Sequence, residues 1–291
     1  MKKLISLFLG VSVLLLAACS KQPDTASSEQ KNDAAGLQTV VIASTGSDAD
    51  IWRHIASLPE TKAAGIKLEV KNFTDYVAMN TAVANKEVDL NAFQSYAYLV
   101  AFNAANKDKI APVSTTYLEP MGIYSNKVKK VEEFAQGATI AIPNDGANES
   151  RALLLLQSAG LIKLKPDFDP VKGTPADIIE NSKKIVIKPI QMATAVRVKD
   201  EVDAILLDNT LAMEGGLNVL KDAIFYEPID QSTKLNVNIL ATAESRKDDP
   251  VLQKVGALYH TEAVKQYVQE HFAGTKVDVN KPTSYLTEAN P

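Results

Sequence analysis

The sequence is poor in the residues on which most catalytic and metal sites are built. It has one cysteine, Cys19, and three histidines, His54, His260 and His271. A single cysteine cannot form an internal disulfide or a thiolate metal site. The histidines do not fall in a metal-binding spacing such as H-E-x-x-H, and the G-x-S-x-G and glycine-rich phosphate-binding motifs are missing. We therefore predict no enzyme activity, no catalytic residue, no metal and no cofactor.

The sequence also has no strong excess of one charge. Its 31 Lys and Arg residues face 35 Asp and Glu residues, for a net charge of −4, and the two signs are interspersed. Proteins that bind nucleic acid usually carry a basic face, and a basic patch is typical of proteins that bind membrane surfaces electrostatically. The charge pattern therefore argues against nucleic acid as a partner.

The amino terminus has the features of a secretory signal peptide. Lys2 and Lys3 precede an apolar run at residues 4–16, and small residues then lead to Cys19. A transmembrane helix needs about 20 apolar residues, so the shorter run favours a signal peptide over residues 1–18. The pattern resembles that of bacterial lipoproteins, which implies a lipidated Cys19 that anchors the mature chain to a membrane.

The remaining chain divides into a linker and a long folded part. Residues 19–36 are polar and lack apolar periodicity, a composition typical of a flexible linker. From residue 37 onward the chain is long for one hydrophobic core and favours two lobes.

Strands and helices alternate along the folded part. Short runs of apolar and β-branched residues predict strands at 39–43, 66–70, 88–93, 138–142, 184–187 and 204–207. Strands that alternate with helices imply parallel pairing and a sheet covered on both faces. Two such series predict an α/β fold with two parallel-core βα lobes.

Two further segments are candidates for strands that cross between the lobes. Residues 120–125 are apolar, and residues 235–242 alternate with period two. If both cross, the helices at 250–272 return to the first lobe, and the cleft between the lobes is the expected ligand site. The predicted boundaries are 37–122 with 241–291 for the first lobe and 123–240 for the second.

Arg151 is the first candidate for ligand binding. It follows a loop of helix-capping residues and lies near the start of a predicted apolar helix. The amino end of a helix favours anions, and a guanidinium group can hold a carboxylate through two hydrogen bonds. The alternative is an exposed side chain or a surface ion pair with Glu149 or Asp145.

Aromatic and acidic side chains provide further candidates. Tyr76, Phe93, Tyr96 and Tyr98 follow strands of the predicted first lobe, where they would line a cleft or simply pack in the core. Asp208 directly follows an apolar strand of the second lobe. Its carboxylate could receive an ammonium group or cap the helix that begins after it.

Several segments together resemble the NlpA/MetQ lipoproteins, the methionine-binding components of ABC importers. They are Thr74-Asp75-Tyr76-Val77, Asp89-Leu90-Asn91-Ala92-Phe93-Gln94 followed by Tyr98-Leu99, Glu119-Pro120-Met121-Gly122-Ile123-Tyr124-Ser125, Pro143-Asn144-Asp145 with Asn148 and Arg151, and Ala159-Gly160-Leu161-Ile162-Lys163-Leu164. The resemblance covers nearly all of residues 37–280.

This resemblance implies a two-lobe periplasmic-binding-protein fold, type II-like, with two crossing strands. It implies a free amino acid ligand, most simply methionine in its L or D form, delivered to a permease that a separate ATPase drives. The family's pattern assigns the ligand carboxylate to Arg151, further hydrogen bonds to Asn148 and Asn181, and the side-chain pocket to three aromatic residues, namely Tyr76, Phe93 and Tyr98.

Three departures from the family's pattern stand out. Ser95 stands where members usually have histidine, and Gly146-Ala147 replaces Pro-Thr. Asp208 replaces an asparagine that helps to hold the amino-acid end of the ligand. An aspartate adds a negative charge and removes a donor, so it favours the ligand ammonium. A different amino acid, a methionine derivative, or a surface lipoprotein with an adhesion role are the alternatives.

Overall fold

A computed structural model describes residues 36–229 and 231–288. The predicted signal peptide, the lipidation site Cys19 and all of the predicted linker but Gly36 lie outside the described residues. Over these two ranges, no helix combines the length and the apolar character that crossing a membrane requires.

The strands agree closely with those predicted from the apolar runs. They are β1 (Gln38–Ser44), β2 (Ile66–Asn72), β3 (Leu90–Ser95), β4 (Ile110–Thr115), β5 (Tyr117–Leu118), β6 (Met121–Tyr124), β7 (Thr139–Pro143), β8 (Lys163–Leu164), β9 (Ile178–Glu180), β10 (Val186–Ile190), β11 (Ala204–Asp208), β12 (Phe225–Tyr226), β13 (Asn238–Ala243) and β14 (Val277–Asp278).

The α-helices mostly lie between strands, and two close the carboxyl-terminal part. They are α1 (Gly46–Ser57), α2 (Pro59–Ala63), α3 (Tyr76–Ala84), α4 (Tyr96–Ala105), α5 (Gly146–Ser158), α6 (Asn209–Glu214), α7 (Val219–Asp222), α8 (Pro250–Tyr259) and α9 (Glu262–Phe272). Short 3-10 helices fill several connections, including Met192–Val198 and Gln231–Asn236.

Two five-stranded sheets carry the fold, and each has a parallel core. The first has the order β2-β1-β3-β13-β4, with β1 parallel to β2 and β3 and with β13 antiparallel to its neighbours. The second has the order β10-β7-β11-β6-β12, with β7 parallel to β10 and β11, and with β6 antiparallel. The predicted α/β class with two parallel-core units is confirmed.

Helices cover both faces of the first sheet and pack on the second, which explains the continuous apolar runs in their strands. In the first sheet, Trp52 of α1 belongs to the hydrophobic cluster on one face, and Met79 of α3 belongs to the cluster on the other. In the second sheet, Leu153 of α5 packs in one cluster with Ile140 and Leu207. All five side chains are fully or almost fully buried.

The chain passes between the sheets in two short connections. Each candidate crossing strand lies within a single sheet: β6 belongs to the second and β13 to the first. The first connection is therefore residues 116–120, between β4 and β6 and including the short strand β5, and the second is residues 227–237, between β12 and β13. The predicted strand at 235–242 begins later than expected, because Leu235 and Asn236 lie in a 3-10 helix. The lobe boundaries stay a prediction.

Candidate functional site

Six of the seven predicted binding residues line one cavity between the two sheets. Tyr76, Phe93 and Tyr98 come from elements of the first sheet, and Asn148, Arg151 and Asp208 come from elements of the second. Loops and helix starts at the carboxyl ends of parallel strands meet at one edge of a sheet, and that edge is where these side chains lie. Gln94, Ser95, Glu119 and Asn238 complete the walls of this inner cavity, whose volume is about 20 Å³.

A larger space, the outer cavity, adjoins the inner one. Tyr76 and Tyr98 line both cavities, and the outer one has a volume of about 330 Å³. The inner volume is close to what a single water needs, roughly 10–15 Å³. An amino acid therefore requires the outer cavity, an opening of the walls, or both. The further residues of its lining are Thr45, Thr74, Asp75, Val77, Asn144, Asp145, Gln191, Met192, Ala193, Leu211 and Glu214.

Side-chain caps fix where the helices around the cavities begin. The carboxylate of Asp145 accepts the amide N–H of Asn148 at 3.1 Å and starts α5, and Asp208 accepts the N–H of Leu211 at 2.8 Å and starts α6. Ser95 caps α4 in the same way. Each cap satisfies one of the free N–H groups at a helix start, so the capping residues and the first turn of each helix face the cavity edge.

The three predicted aromatic residues contact one another. The ring centroids of Tyr76 and Phe93 lie 5.1 Å apart, and Tyr98 meets both rings edge-on, at 6.3 Å from Tyr76 and 5.7 Å from Phe93. Edge-to-face contacts at these separations are favourable for aromatic pairs. The rings therefore form one wall of the inner cavity rather than three separate contacts.

Arg151 is buried and paired, with a partner that was not predicted. Its Nε lies 2.9 and 3.1 Å from the two carboxylate oxygens of Glu227, and its Nη2 lies 2.5 Å from Oε2. Nη2 also donates to the backbone oxygen of Glu119 at 2.8 Å. Burial lowers the pKa of Arg151, but the surrounding carboxylates, Glu227 foremost with Glu119 and Asp208, together outweigh it, and the net shift is upward. Only Nη1 has no hydrogen-bond partner among the described residues.

Asp208 both caps α6 and faces the inner cavity. Its Oδ1 accepts the Leu211 N–H, whereas its Oδ2 has no hydrogen-bond partner in the described part of the chain. Burial and, after it, the nearby Glu119 carboxylate raise the pKa of Asp208 to about 7, against the lowering effect of the Leu211 amide, Arg151 and Lys276. The helix cap predicted from the sequence is therefore present, whereas the binding of a ligand ammonium by the other oxygen stays a prediction.

A buried charged network lies behind Glu119. The ammonium group of Lys276 donates to Asp48 at 2.8 Å, to Glu119 at 2.6 Å and to the hydroxyl of Thr210 at 2.9 Å. It also lies 3.9 Å from the ring centroid of Tyr117, a cation–π distance. Asp48 lies on α1 and Thr210 on α6, so the network joins helices that belong to different sheets.

The structure separates the two predicted asparagines. Asn148 lines the inner cavity, and its Nδ2 donates to Asp145 at 3.2 Å. Asn181 lies elsewhere: its Oδ1 accepts the Ile185 N–H at 2.8 Å and its Nδ2 donates to the Ile185 oxygen at 2.9 Å. It lines neither cavity. Both ends of the Asn181 amide close a turn before β10, so the structure does not bring Asn181 to the other predicted residues, and its contact with a ligand stays a prediction.

Five residues around the inner cavity had no role predicted from the sequence. Gln94 and Glu119 lie in recognised segments, and Asn238 begins β13. Glu227 and Lys276 had no local signal at all, because a charged residue in a loop is exposed far more often than buried. Here Glu227 is 7% exposed and Lys276 is 4% exposed.

The histidines are engaged away from both cavities. His260 lies 2.6 Å from Asp278 through Nδ1 and 2.9 Å from the oxygen of Thr115 through Nε2. His54 and His271 both stack on Tyr267, at centroid distances of 4.1 and 4.0 Å. Over residues 36–229 and 231–288, no group of three or more His, Cys, Asp and Glu side chains could hold a metal ion.

Comparison with known proteins finds relatives whose descriptions agree with one another. The probable D-methionine-binding lipoprotein MetQ of Pasteurella multocida is 35% identical over 272 residues, covering 94% of this chain and 96% of that protein. Outer membrane lipoprotein 2 of Mannheimia haemolytica is 37% identical over 275 residues, covering 94% and 97%. The structure of the substrate-binding protein of a methionine transporter from Streptococcus pneumoniae aligns with a TM-score of 0.76 at 38% identity, covering 83% of this chain and 95% of that one.

The family model agrees with these relatives. The model described as NlpA lipoprotein matches residues 40–280, which include every described side chain that lines the inner cavity. The chain therefore belongs to the NlpA lipoprotein family.

Proposed function

We propose that this chain is the solute-binding protein of an ABC importer and captures a free amino acid between its two sheets. Methionine, as the L or D form, is the first candidate, because related proteins carry that ligand in their names. The ligand is then passed to a permease that a separate ATPase drives. In this proposal Cys19 anchors the protein to the cell membrane by lipid, facing the periplasm or the outer surface, and the protein catalyses no reaction.

The observation that carries the proposal is a pair of free polar atoms on the wall of the inner cavity. Arg151 keeps Nη1 and Asp208 keeps Oδ2 without a hydrogen-bond partner in the described chain, although the two residues are only 6% and 9% exposed. An α-amino acid supplies a carboxylate for the first and an ammonium for the second. A cationic donor and a carboxylate oxygen on one wall match the two charged groups of a zwitterion, and hydrogen bonds between charged groups are the strong ones.

The contacts of Arg151 suggest how the ligand is linked to closure. Through Nη2 and Nε it binds Glu119 in the first connection and Glu227 in the second, and Glu227 also accepts the amide N–H of Met121 at 2.8 Å. Arg151 therefore contacts both of the segments about which the sheets would rotate. A ligand carboxylate bound to Arg151 is linked to both segments through that one residue. Such closure about short connections is common in binding proteins.

Calorimetry on the purified protein tests this function. Any bound ligand is removed by unfolding in guanidinium and refolding, and L- and D-methionine are then titrated into the wild type and into Arg151→Met. The expected result is binding by the wild type and a loss of at least about 100-fold in the variant, since a charged buried hydrogen bond contributes several kcal/mol. Arg53→Met is the matched control, because Arg53 is an exposed arginine of α1 that pairs with Asp50 on the same helix.

Two results would contradict the proposal. If the refolded wild type binds no amino acid, a surface lipoprotein with an adhesion role becomes the better explanation. If Arg151→Met and Arg53→Met bind methionine equally well, the site lies elsewhere on the chain.

A further inference from the structure

The strand that carries Phe93 contains a β-bulge. Gln94 lies opposite Ile239 of β13. Ala92 lies opposite Leu240, the next residue of β13, so Phe93 is an extra residue on β3. A bulge of this kind bends its strand and changes the direction in which the nearby side chains point, and bulges are frequent beside functional sites.

The bulge turns two adjacent side chains of β3 toward the same helix, α3. Phe93 contacts the ring of Tyr76, at a centroid distance of 5.1 Å, and Gln94 forms hydrogen bonds with Asn80. Tyr76 and Asn80 are four residues apart on α3 and therefore lie on one face of that helix. Adjacent residues of a regular strand point to opposite faces of the sheet, so the bulge is what lets β3 reach α3 with two successive side chains.

Three buried amide side chains join the bulge to α3, and we call Asn80, Asn91 and Gln94 the amide cluster. Nδ2 of Asn80 donates to Oε1 of Gln94 at 3.0 Å, and Nε2 of Gln94 donates back to Oδ1 of Asn80 at 2.7 Å. Asn91 bonds to both, through Nδ2 to Oδ1 of Asn80 at 2.8 Å and through Oδ1 to Nε2 of Gln94 at 2.8 Å. The cluster therefore ties two positions of β3, one on each side of Phe93, to one position of α3.

The amide cluster is sensitive to the loss of any member. Asn80 and Asn91 are fully buried, and Gln94 is 2% exposed. Each of the three side-chain oxygens accepts a hydrogen bond from within the cluster. Removal of one amide would leave buried polar atoms of the other two unpaired, and that costs more than the hydrogen bond itself contributes. A buried network in which the oxygens are all satisfied favours one arrangement of the elements it joins.

The elements that the amide cluster joins carry the aromatic wall. Phe93 lines the inner cavity and Tyr76 lines both cavities, whereas Asn80 and Asn91 line neither. Building on the proposed function, we infer that Asn80 and Asn91 are positioning residues for the ligand. They fix the Phe93 ring against the Tyr76 ring, and the separation of these rings determines which uncharged amino-acid side chains the cleft accepts.

Asn80→Leu tests the inference, because leucine has the same number and branching of heavy atoms and cannot form the amide pair. Calorimetry on the refolded protein compares methionine with ethionine, whose side chain is one methylene longer, in the enantiomer that the wild type binds more tightly. The wild type should prefer methionine by about tenfold or more, the effect of one methylene in an apolar pocket. In Asn80→Leu the preference should fall to about threefold or less, because a pocket without precise complementarity loses its single packing arrangement.

Asn103 on α4 provides the matched control. Its Oδ1 accepts the Ile110 N–H at 3.0 Å, its Nδ2 donates to the Ile110 oxygen at 2.8 Å, and it lines neither cavity. Asn103→Leu should therefore lower the free energy of unfolding, as Asn80→Leu does, and keep the wild-type preference for methionine. The comparison separates a positioning role from a general loss of stability.

Asn91→Ala is a milder second variant. It leaves both hydrogen bonds of the Asn80–Gln94 pair in place, so we expect it to fold and to show a preference between those of the wild type and Asn80→Leu. Urea unfolding of all three variants shows whether each one is folded before its ligand binding is compared.

Four results would overturn the inference. A wild-type preference kept in both Asn80→Leu and Asn91→Ala would show that the amide cluster does not position the wall. An equal loss of preference in Asn103→Leu would make general destabilisation the cause. Loss of cooperative unfolding in both cluster variants would show that the amide cluster supports the fold alone. Equal binding of methionine and ethionine by the wild type would show that the wall does not select side-chain length.

The failure of the proposed function would look different. In that case the refolded wild type would bind neither methionine nor ethionine, whereas each of the four results above leaves binding of an amino acid by the wild type intact.

Discussion

Arg151 and Glu227 lie 76 positions apart in the chain and form a buried ion pair through two nitrogens and two oxygens. Glu227 belongs to the second connection between the sheets, and α5, which carries Arg151, packs on the second sheet. The pair orients the arginine and uses most of its hydrogen-bonding capacity. A ligand carboxylate therefore meets a guanidinium group that is already fixed in position, with one nitrogen left.

The first prediction concerns the stability that this pair provides. Arg151→Met leaves the Glu227 carboxylate buried without its cation, and Glu227→Met does the reverse, so each should lower the free energy of unfolding by about 3–5 kcal/mol. The double variant Arg151→Met with Glu227→Met should recover most of that loss, because no buried charge remains. Urea unfolding followed by circular dichroism measures all three. Single variants within about 1 kcal/mol of wild type would show that the pair is exposed in solution.

A second prediction concerns Lys276 and the network that joins α1 to α6. Lys276→Met leaves the buried carboxylates of Asp48 and Glu119 without their cation, so we expect a loss of about 3–5 kcal/mol in the free energy of unfolding. Lys265→Met, an exposed position on α9, should change it by less than about 0.5 kcal/mol. Equal unfolding midpoints for Lys276→Met and Lys265→Met would mean that the Lys276 contacts do not hold α1 and α6 together.

A third prediction follows from the charge of Asp208. Its folded pKa of about 7 lies above its ordinary value of 3.8, so the folded state holds a proton that the unfolded state releases. The free energy of unfolding therefore falls as the pH rises from about 4 to 7, and the full loss is present above pH 7. Asp208→Asn keeps the helix cap and removes the charge, so the ligand-free variant should be more stable than wild type at pH 8, by about 1 kcal/mol or more, and equal at pH 4. Thermal unfolding of the wild type and of Asp208→Asn at both pH values checks this prediction. A stability difference between them at pH 4 as large as that at pH 8 would contradict the charge explanation.

The pH dependence of ligand binding is the fourth prediction. A ligand ammonium needs the ionised form of Asp208, which faces Glu119, Arg151 and Lys276, and that form is depleted below pH 7. Affinity for methionine should therefore rise between pH 5.5 and 8, by up to about tenfold per unit below pH 7, with release of a proton on binding. Calorimetry in buffers of different ionisation enthalpy detects that proton. A flat profile, or the same slope in Asp208→Asn, would remove Asp208 from the ligand site.

Much of the fold could be predicted because its signals are local. The apolar run at 39–43 became β1, and the run at 204–207 became β11, since a strand covered on both faces must be apolar along its whole length. The residues at strand ends and helix starts could also be predicted, because parallel strands bring those positions to one edge. This is why Tyr76, Arg151 and Asp208 were found together.

The amino-acid order also determined which residues could meet in the site, but only the tertiary structure decided how their charges pair. Glu227 lies 76 residues from Arg151, and Lys276 lies 228 residues from Asp48. Nothing in either neighbourhood marks these partners, because a buried ion pair depends on where two connections place distant segments. The turn closed by the Asn181 amide has the same cause, and so does the unpaired oxygen of Asp208. Which groups form hydrogen bonds depends on which atoms the packed chain brings within about 3 Å of each other.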